Sequence, residues 1–219
     1  MSLYGSKGKK KIFRKSVIIA FLCVGVIEAY SLLEPVFAQS ATDNVTVTLT
    51  VDSGITISDG ANVTMSPNLG VAANSTIGTS SWNVKTNDPN GYTLAVKASA
   101  SPALSSGADS FADYTEAVNG TPETWSVGSG AKEFGFSAYG TDTATGTWGT
   151  GASCGSGGTP SATQKYVGFK TTDKTIATRA STTTTSGVTT SICFAAEQNT
   201  VYAAAGTYTA TITATATVL

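Results

Sequence analysis

The most constraining feature of this chain is a strict alternation of apolar and hydroxylated residues. From Thr207 to Val218, threonine fills every second position, and Tyr, Ala, Ile or Val fills the positions between. Because successive side chains of a β-strand point to opposite faces, this segment has one apolar and one hydroxylated face. Threonine fills 37 of the 181 residues that follow position 38, and branching at Cβ favours extended backbone over helix. The sequence therefore predicts an all-β protein.

The same period of two predicts eight to ten short strands. Residues 45–51 alternate valine or leucine with threonine, and a turn at residues 52–54 follows them. Apolar and polar residues alternate at positions 82–84 and again at positions 92–98. Between these two segments, Asp-Pro-Asn-Gly at residues 88–91 is a typical turn sequence. That pattern predicts a β-hairpin. Further strands are predicted at residues 125–127, 132–138, 166–170 and 188–195.

Helix signals are nearly absent from the chain. Residues 110–117 are the candidate, for one or two turns around Phe111 and Tyr114. Residues 99–124 and 141–163 are rich in Gly, Ser and Ala, and we predict that they form long loops. Many short strands with frequent turn residues and no helical crossovers favour an antiparallel Ig-like or Greek-key β-sandwich with long Gly-, Ser- and Thr-rich loops.

Residues 1–38 have the pattern of a cleavable signal peptide. The first fifteen positions hold six Lys or Arg and no acidic residue, an apolar run covers residues 17–27, and Val36-Phe37-Ala38 precedes the cleavage point. Glu28 and Pro35 interrupt the apolar run before it reaches the ~20 residues that a transmembrane helix needs. We therefore expect a protein exported by the general secretory route. Its mature chain has no membrane span and forms a single domain, residues 39–219.

Cysteine usage agrees with export. The mature chain has two cysteines, Cys154 and Cys193. An even pair in an exported protein indicates a disulfide, and the two lie too far apart in sequence for a redox or metal motif of closely spaced cysteines. The closed loop of about 40 residues would stabilise the fold by roughly 4 kcal/mol in the chain-entropy model.

Charge and histidine content limit the chemistry of the mature chain. Seven basic and twelve acidic side chains give it a net charge of −5, and no basic patch is left to attract nucleic acid. The chain has no histidine, which excludes Ser-His and Cys-His catalytic arrangements and histidine-ligated metals. We therefore predict a non-catalytic protein without a cofactor, a metal site or a nucleic-acid partner.

Trp125 and Trp148 are the candidate ligand-stacking residues. Both lie in polar, glycine-rich surroundings, where an exposed indole ring could stack on a sugar ring. The alternative, which we favour, is that both tryptophans close the ends of the hydrophobic core, because they hide a large apolar area there.

Two segments resemble the signature regions of WxL-type bacterial surface domains. Gly91-Tyr92-Thr93-Leu94 follows a turn in mid-chain, with Tyr92 in the place of the first tryptophan. Residues 206–219, GTYTATITATATVL, are similar to the closing strand, with Ala214-Thr215-Ala216 where the second motif falls. The resemblance implies an exported β-sandwich of the bacterial cell surface that associates non-covalently with peptidoglycan. It makes a cell-envelope polymer or other surface proteins the expected partners.

The ends of the chain also resemble subunits of pili and spore coats that polymerise by donor-strand exchange. Gly206 stands about fourteen residues from the C-terminus, as in those subunits, and residues 45–51 supply an alternating N-terminal segment. This second resemblance implies self-association through that segment.

Two functional hypotheses follow. The first is a self-contained structural or binding domain of the cell surface or cell wall, in which residues 45–51 and 208–218 pair within one molecule. The second is a pilus-like or coat-like subunit whose N-terminal strand completes a neighbour's sheet. The first is favoured, because residues 52–54 resemble a tight link from residues 45–51 into the next strand.

Overall fold

The computed structural model describes residues 41–58 and 60–219, and its regular structure is almost entirely β. The described residues form twelve strands and one helix of four residues, α1 (Thr145–Trp148). The prediction of an all-β protein is confirmed. The predicted signal peptide and its cleavage point lie outside the described residues. Within the part of the chain that is described, no helix is long and apolar enough to cross a bilayer.

The chain divides into two units, Met1–Thr50 and Val51–Leu219. Of the first unit, residues 41–50 are described, and they are exposed and lack regular secondary structure. Val45, Val47 and Leu49 are 82%, 86% and 84% exposed. The strand predicted at residues 45–51 is therefore wrong for this structure. Its alternating pattern is present, but a strand forms only where a second strand supplies hydrogen bonds, and none of the described strands pairs with it.

Most strands of the second unit form one large sheet. Its members are β1 (Ile55–Ile57), β2 (Ser75–Thr86), β4 (Leu104–Ser106), β5 (Asp109–Asp113), β6 (Lys132–Gly140), β9 (Val167–Gly168) and β11 (Val188–Gln198). Their order is β1-β2-β11-β6-β5-β4, and β9 also pairs with β6. The β5–β6 pair is parallel, so the sheet is mixed rather than wholly antiparallel as predicted.

Three further strands form a smaller sheet, ordered β10-β3-β12. They are β3 (Tyr92–Ala98), β10 (Lys174–Arg179) and β12 (Ile212–Val218). Two short strands, β7 (Gly155–Ser156) and β8 (Thr159–Pro160), form a separate hairpin. Apolar side chains of both main sheets are buried in one common core, among them Val84, Phe136 and Ile192 of the large sheet and Leu94, Val96 and Ile176 of the smaller one.

The strands on either side of the turn at residues 88–91 belong to different sheets, so the predicted β-hairpin is wrong. The turn itself forms: the Gly91 N–H donates to the Asp88 carbonyl at 3.1 Å, and Gly91 has a φ of 87°. However, β2 pairs with β1 and β11, whereas β3 pairs with β10 and β12. Alternation in two neighbouring segments shows that each buries one face, and it does not show that they pair with each other.

The structure confirms some of the other predicted strands and corrects the rest. Residues 132–138 and 188–195 lie in β6 and β11, as predicted, and the segment 166–170 is reduced to the two residues of β9. Residues 125–127 form no strand. The predicted helical turns at residues 110–117 are wrong, because Phe111 lies on strand β5, where its side chain is buried.

Cys154 and Cys193 are joined by a disulfide, with their Cα atoms 5.1 Å apart, so the predicted pairing is confirmed. Cys193 is buried in the middle of β11, and Cys154 immediately precedes β7. The bond therefore fastens the β7–β8 hairpin to a central strand of the large sheet.

We expect the double variant C154A/C193A to be less stable than the native protein by about 4 kcal/mol, because the disulfide restricts the unfolded chain over a sequence separation of 39 residues. Urea unfolding of the oxidised native protein and of the variant measures the difference. The reduced native protein is the control and should lose a similar amount. Equal stability of the oxidised protein and the variant would show that the bond adds nothing to the fold.

Candidate functional site

Trp148 belongs to the core and offers no ring face to a ligand. It lies on α1, is 2% exposed, and packs against Phe136 with the two ring centroids 5.5 Å apart. The Lys174 Nζ lies 5.9 Å from the centroid of its ring. The hypothesis that Trp148 stacks on a sugar is therefore corrected, since almost all of its surface is used in packing.

Trp125 lies in a second, smaller apolar cluster. Its ring stacks on Tyr114 at 4.6 Å between centroids, and Tyr166 meets it edge-on at 5.3 Å. Its Nε1–H donates to the Glu197 carboxylate at 2.7 Å. The structure thus places the two candidate tryptophans in different clusters, and it does not bring them together in one site.

A groove of about 1060 Å³ lies on the side of the second unit where β12 forms the edge of the smaller sheet. We call it the lateral groove. Residues 60–71 form one rim and residues 202–212 the other. Its floor is made by inward-facing side chains of several strands: Trp82, Leu104, Phe111, Phe134, Phe194 and Ala196. None of the described residues that line it is Asp, Glu, Lys or Arg.

The groove exists because the two sheets differ in width. The smaller sheet has three strands and ends at β12, whereas the large sheet continues through β11, β6, β5 and β4. Phe134 and Phe194, on β6 and β11, therefore form part of the groove floor as well as of the core. One more strand beside residues 208–212 would cover this apolar floor.

The rim that leads into β12 has an open main-chain edge. Thr209 exchanges two hydrogen bonds with Ser105, at 2.9 and 3.2 Å, and the Thr211 carbonyl accepts from the Ser99 N–H at 3.0 Å. Since main-chain groups alternate in direction along an extended chain, those of the intervening residues face the opposite side. These residues are Tyr208, Ala210 and Ile212, and on that side they have no main-chain partner among the described residues.

The opposite rim is only partly paired. Ser66 exchanges hydrogen bonds with Ile77 of β2, at 2.9 and 3.2 Å. Val63, Met65 and Leu69 pack their side chains against the core. The main-chain groups of Val63 and Met65 make no main-chain hydrogen bond within the described chain. Both rims thus present unpaired main-chain groups.

One buried side chain joins the two rims at an end of the groove. The Gln198 Nε2–H donates to the Gly70 carbonyl at 3.0 Å, and its Oε1 accepts from the Ala203 N–H at 3.0 Å. Val71 and Tyr202 lie beside this link, and both are exposed although they are large and apolar. Gln198 therefore fixes the separation of the rims, and the groove is formed before any ligand arrives.

Asp109 fastens the second rim to β5. Its carboxylate accepts hydrogen bonds from Lys132, from the Tyr208 hydroxyl and, at 2.8 Å, from the Ala204 N–H. These donors, Lys132 above all, hold the pKa of Asp109 well below its usual range. Burial and the bond to Asp109 raise the pKa of Tyr208 to about 12. The carboxylate is therefore ionised and the phenol neutral at neutral pH, and their hydrogen bond persists.

One polar group of the groove lacks a partner. Thr76 lines the groove, and its buried Oγ1 makes no hydrogen bond with the described residues. A buried hydroxyl without a partner costs about 1–3 kcal/mol. A ligand that brings a carbonyl or an N–H group to Thr76 would remove that cost.

These features together fit an extended polypeptide. The apolar floor accommodates every second side chain of a strand, and the open rims provide main-chain hydrogen bonds, as in recognition by strand addition. The described lining offers no carboxylate, amine or thiol for acid–base or nucleophilic chemistry. Sequence reasoning missed this site, although the alternation at residues 62–69 and 208–212 was a signal for both rims.

No known protein family, no characterised protein and no solved structure matches this chain. The resemblance to WxL-type surface domains therefore stays a prediction, and the lateral groove is the feature of the structure that indicates a function.

Proposed function

We propose that this chain is an exported, non-catalytic structural protein of the bacterial cell surface that binds a partner protein by accepting an extended strand in the lateral groove. The observation that carries the proposal is the apolar floor between two rims with unpaired main-chain groups. We further propose that the fold is an Ig-like or Greek-key β-sandwich in which the main-chain edge of residues 208–212 is open. A bound strand would pair with that edge.

Export is supported by the N-terminal pattern and by the disulfide. Residues 1–38 carry the basic, apolar and small-residue regions of a signal peptide in the right order. The Cys154–Cys193 bond is of the kind that persists in oxidising compartments. Both features support export, and the cell-surface location remains part of the proposal.

A protein partner is favoured over a polysaccharide. Sugar binding by a β-sandwich commonly uses exposed aromatic rings, but Trp148 is buried and one face of the Trp125 ring is covered by Tyr114. The lateral groove instead combines apolar side chains with free main-chain groups, which are what an incoming strand requires. Peptidoglycan therefore ranks behind another surface protein as the partner.

A peptide series tests the proposed function. We expect eight-residue peptides with strict Val/Thr alternation to bind the mature protein. Peptides of the same composition with paired valines should bind at least about tenfold more weakly, because only the alternating series presents one apolar face. The fluorescence of Trp82, which lines the groove, reports binding.

The variant A210P provides the matched control for this series. Proline at position 210 removes an N–H that has no partner in the structure, so the fold keeps its hydrogen bonds. Peptide affinity should fall about three- to tenfold, as expected for the loss of one hydrogen bond. Equal binding of alternating and paired peptides would contradict strand acceptance.

A further inference from the structure

We propose that Thr76 is the specificity-determining residue of the lateral groove. The strand that it selects carries one uncharged hydroxyl or amide side chain among inward-facing residues that are otherwise apolar. This inference rests on the proposed function and specifies the chemistry of the partner. It accounts for a feature that strand acceptance alone leaves unexplained, namely a hydroxyl on the groove floor that is buried and has no hydrogen-bond partner.

Thr76 differs from the other polar side chains of the floor. Three floor residues carry a hydroxyl or an amide group: Thr76, Ser80 and Gln198. The Ser80 hydroxyl donates to the Ala61 carbonyl at 2.9 Å, and both ends of the Gln198 amide bond to the rims. Thr76 is 5% exposed, and its Oγ1 makes no hydrogen bond within the described part of the chain. Of the three, Thr76 is therefore the residue that still needs a partner.

The surroundings of Thr76 leave room for a side chain of the ligand. Thr76 lies opposite Ala196 in the β2–β11 pair, and Ala196 lies opposite Phe134 in the β11–β6 pair. All three residues line the groove, and Ala196 has the smallest side chain of the floor. An inward residue of a bound strand can therefore reach the floor beside Thr76.

A side chain of the bound strand, and not its main chain, meets Thr76. In a strand the N–H and C=O groups lie in the plane of the sheet, and the side chains stand roughly perpendicular to it. The main-chain groups of an incoming strand thus point to the rims, where Tyr208 and Ala210 have open groups. The Thr76 hydroxyl can turn between staggered χ1 positions to meet the inward side chain while the main chain of β2 stays in place.

The selected side chain is polar but uncharged. None of the described residues that line the groove is Asp, Glu, Lys or Arg, so a carboxylate or an ammonium group at this position would lose its hydration without gaining a counter-charge. A methyl group would leave the Thr76 hydroxyl unpaired. A hydroxyl or amide group satisfies Thr76, because a hydroxyl both donates and accepts hydrogen bonds.

A double-mutant cycle between protein and peptide tests this inference. The parent is the eight-residue Val/Thr peptide, and its four inward valines are replaced by threonine one at a time. The native protein should bind the best of these four peptides at least about threefold more tightly than the parent. T76V should bind that same peptide more weakly than the parent, so that the two hydroxyls are coupled by about tenfold in affinity. Trp82 fluorescence measures binding.

The variant T143V is the matched control. The Thr143 Oγ1 is also buried and lacks a partner among the described residues, but Thr143 does not belong to the described lining of the groove. T143V should therefore bind every peptide as the native protein does. Both variants should melt no lower than the native protein, because each replaces an unsatisfied buried hydroxyl with a methyl group.

The outcomes separate this inference from the proposed function. If the native protein and T76V rank the five peptides in the same order, Thr76 does not select the strand, and the inference is overturned. Tighter binding of the parent than of all four threonine peptides by the native protein would overturn it as well. In both cases strand acceptance stands, provided that alternating peptides bind more tightly than paired ones. If no peptide binds, both proposals fail.

Discussion

A protein of residues 39–219 from which residues 41–51 are deleted should remain folded and keep its melting temperature. The four apolar side chains of this segment are 73–86% exposed, so their removal takes almost no buried area from the domain. If residues 45–51 formed the predicted strand within their own domain, their deletion would instead unfold the protein. Four aliphatic side chains at roughly 1.5–3 kcal/mol each are comparable with the entire ~5–15 kcal/mol stability of a typical domain.

Circular dichroism during heating measures the melting temperature of the deletion variant and of the undeleted protein. Substitution of residues 41–51 by a Gly/Ser sequence of equal length is the control for chain length, and it should behave as the deletion does. Unfolding of either variant at room temperature would show that the segment is part of its own domain, and the hypothesis of a self-contained domain would then be preferred.

The variant W148A should be less stable by about 3–5 kcal/mol, the usual cost of removing a buried tryptophan or phenylalanine. Trp148 is buried against Phe136, and α1 is too short to adjust around the cavity without losing its position. The variant W125A is the matched comparison and should lose less, because Trp125 is only half-buried. Urea unfolding midpoints measure both changes. Native stability of W148A would contradict a core role for this residue.

The strands that were predicted best are those in which the apolar positions of the sequence pattern are also the buried positions of the structure. In β6 and β11 the buried residues include the apolar positions that the sequence singled out. Phe134 stacks with Phe169 and Phe194, and Phe136 stacks with Phe169. The disulfide was equally predictable, because the two cysteines of residues 39–219 have one possible pairing. Each of these inferences depends on local pattern or on simple counting.

The errors have a common cause. The turn at residues 88–91 was recognised correctly, but β2 and β3 leave it toward different sheets. The alternation at residues 45–51 was also real, yet that segment is exposed. In both cases the pattern reports that a segment can bury one face. It carries no information about which strand will be its neighbour, or whether that strand belongs to the same molecule.

The lateral groove was beyond the reach of sequence reasoning for the same reason. Its floor combines side chains from β2, β4, β5, β6 and β11, and one side chain, Gln198, joins its rims. A glutamine at the end of a strand has no distinguishing pattern in the sequence. The role of Gln198 is visible only in the tertiary structure, where residues 70 and 203, which are far apart along the chain, lie on either side of its side chain.

The sequence by itself determined the all-β character of the protein, the alternate burial of its main strands and its disulfide, because period-two patterning and cysteine number are local properties. The tertiary structure alone decided the order of the strands, the unequal width of the two sheets and the groove that this inequality leaves beside β12. Hydrogen-bond pairing between strands is a non-local property, because each strand can pair with any strand edge that the fold makes available. The open edge of residues 208–212 and the exposed segment 45–51 are two consequences of how the strands pair.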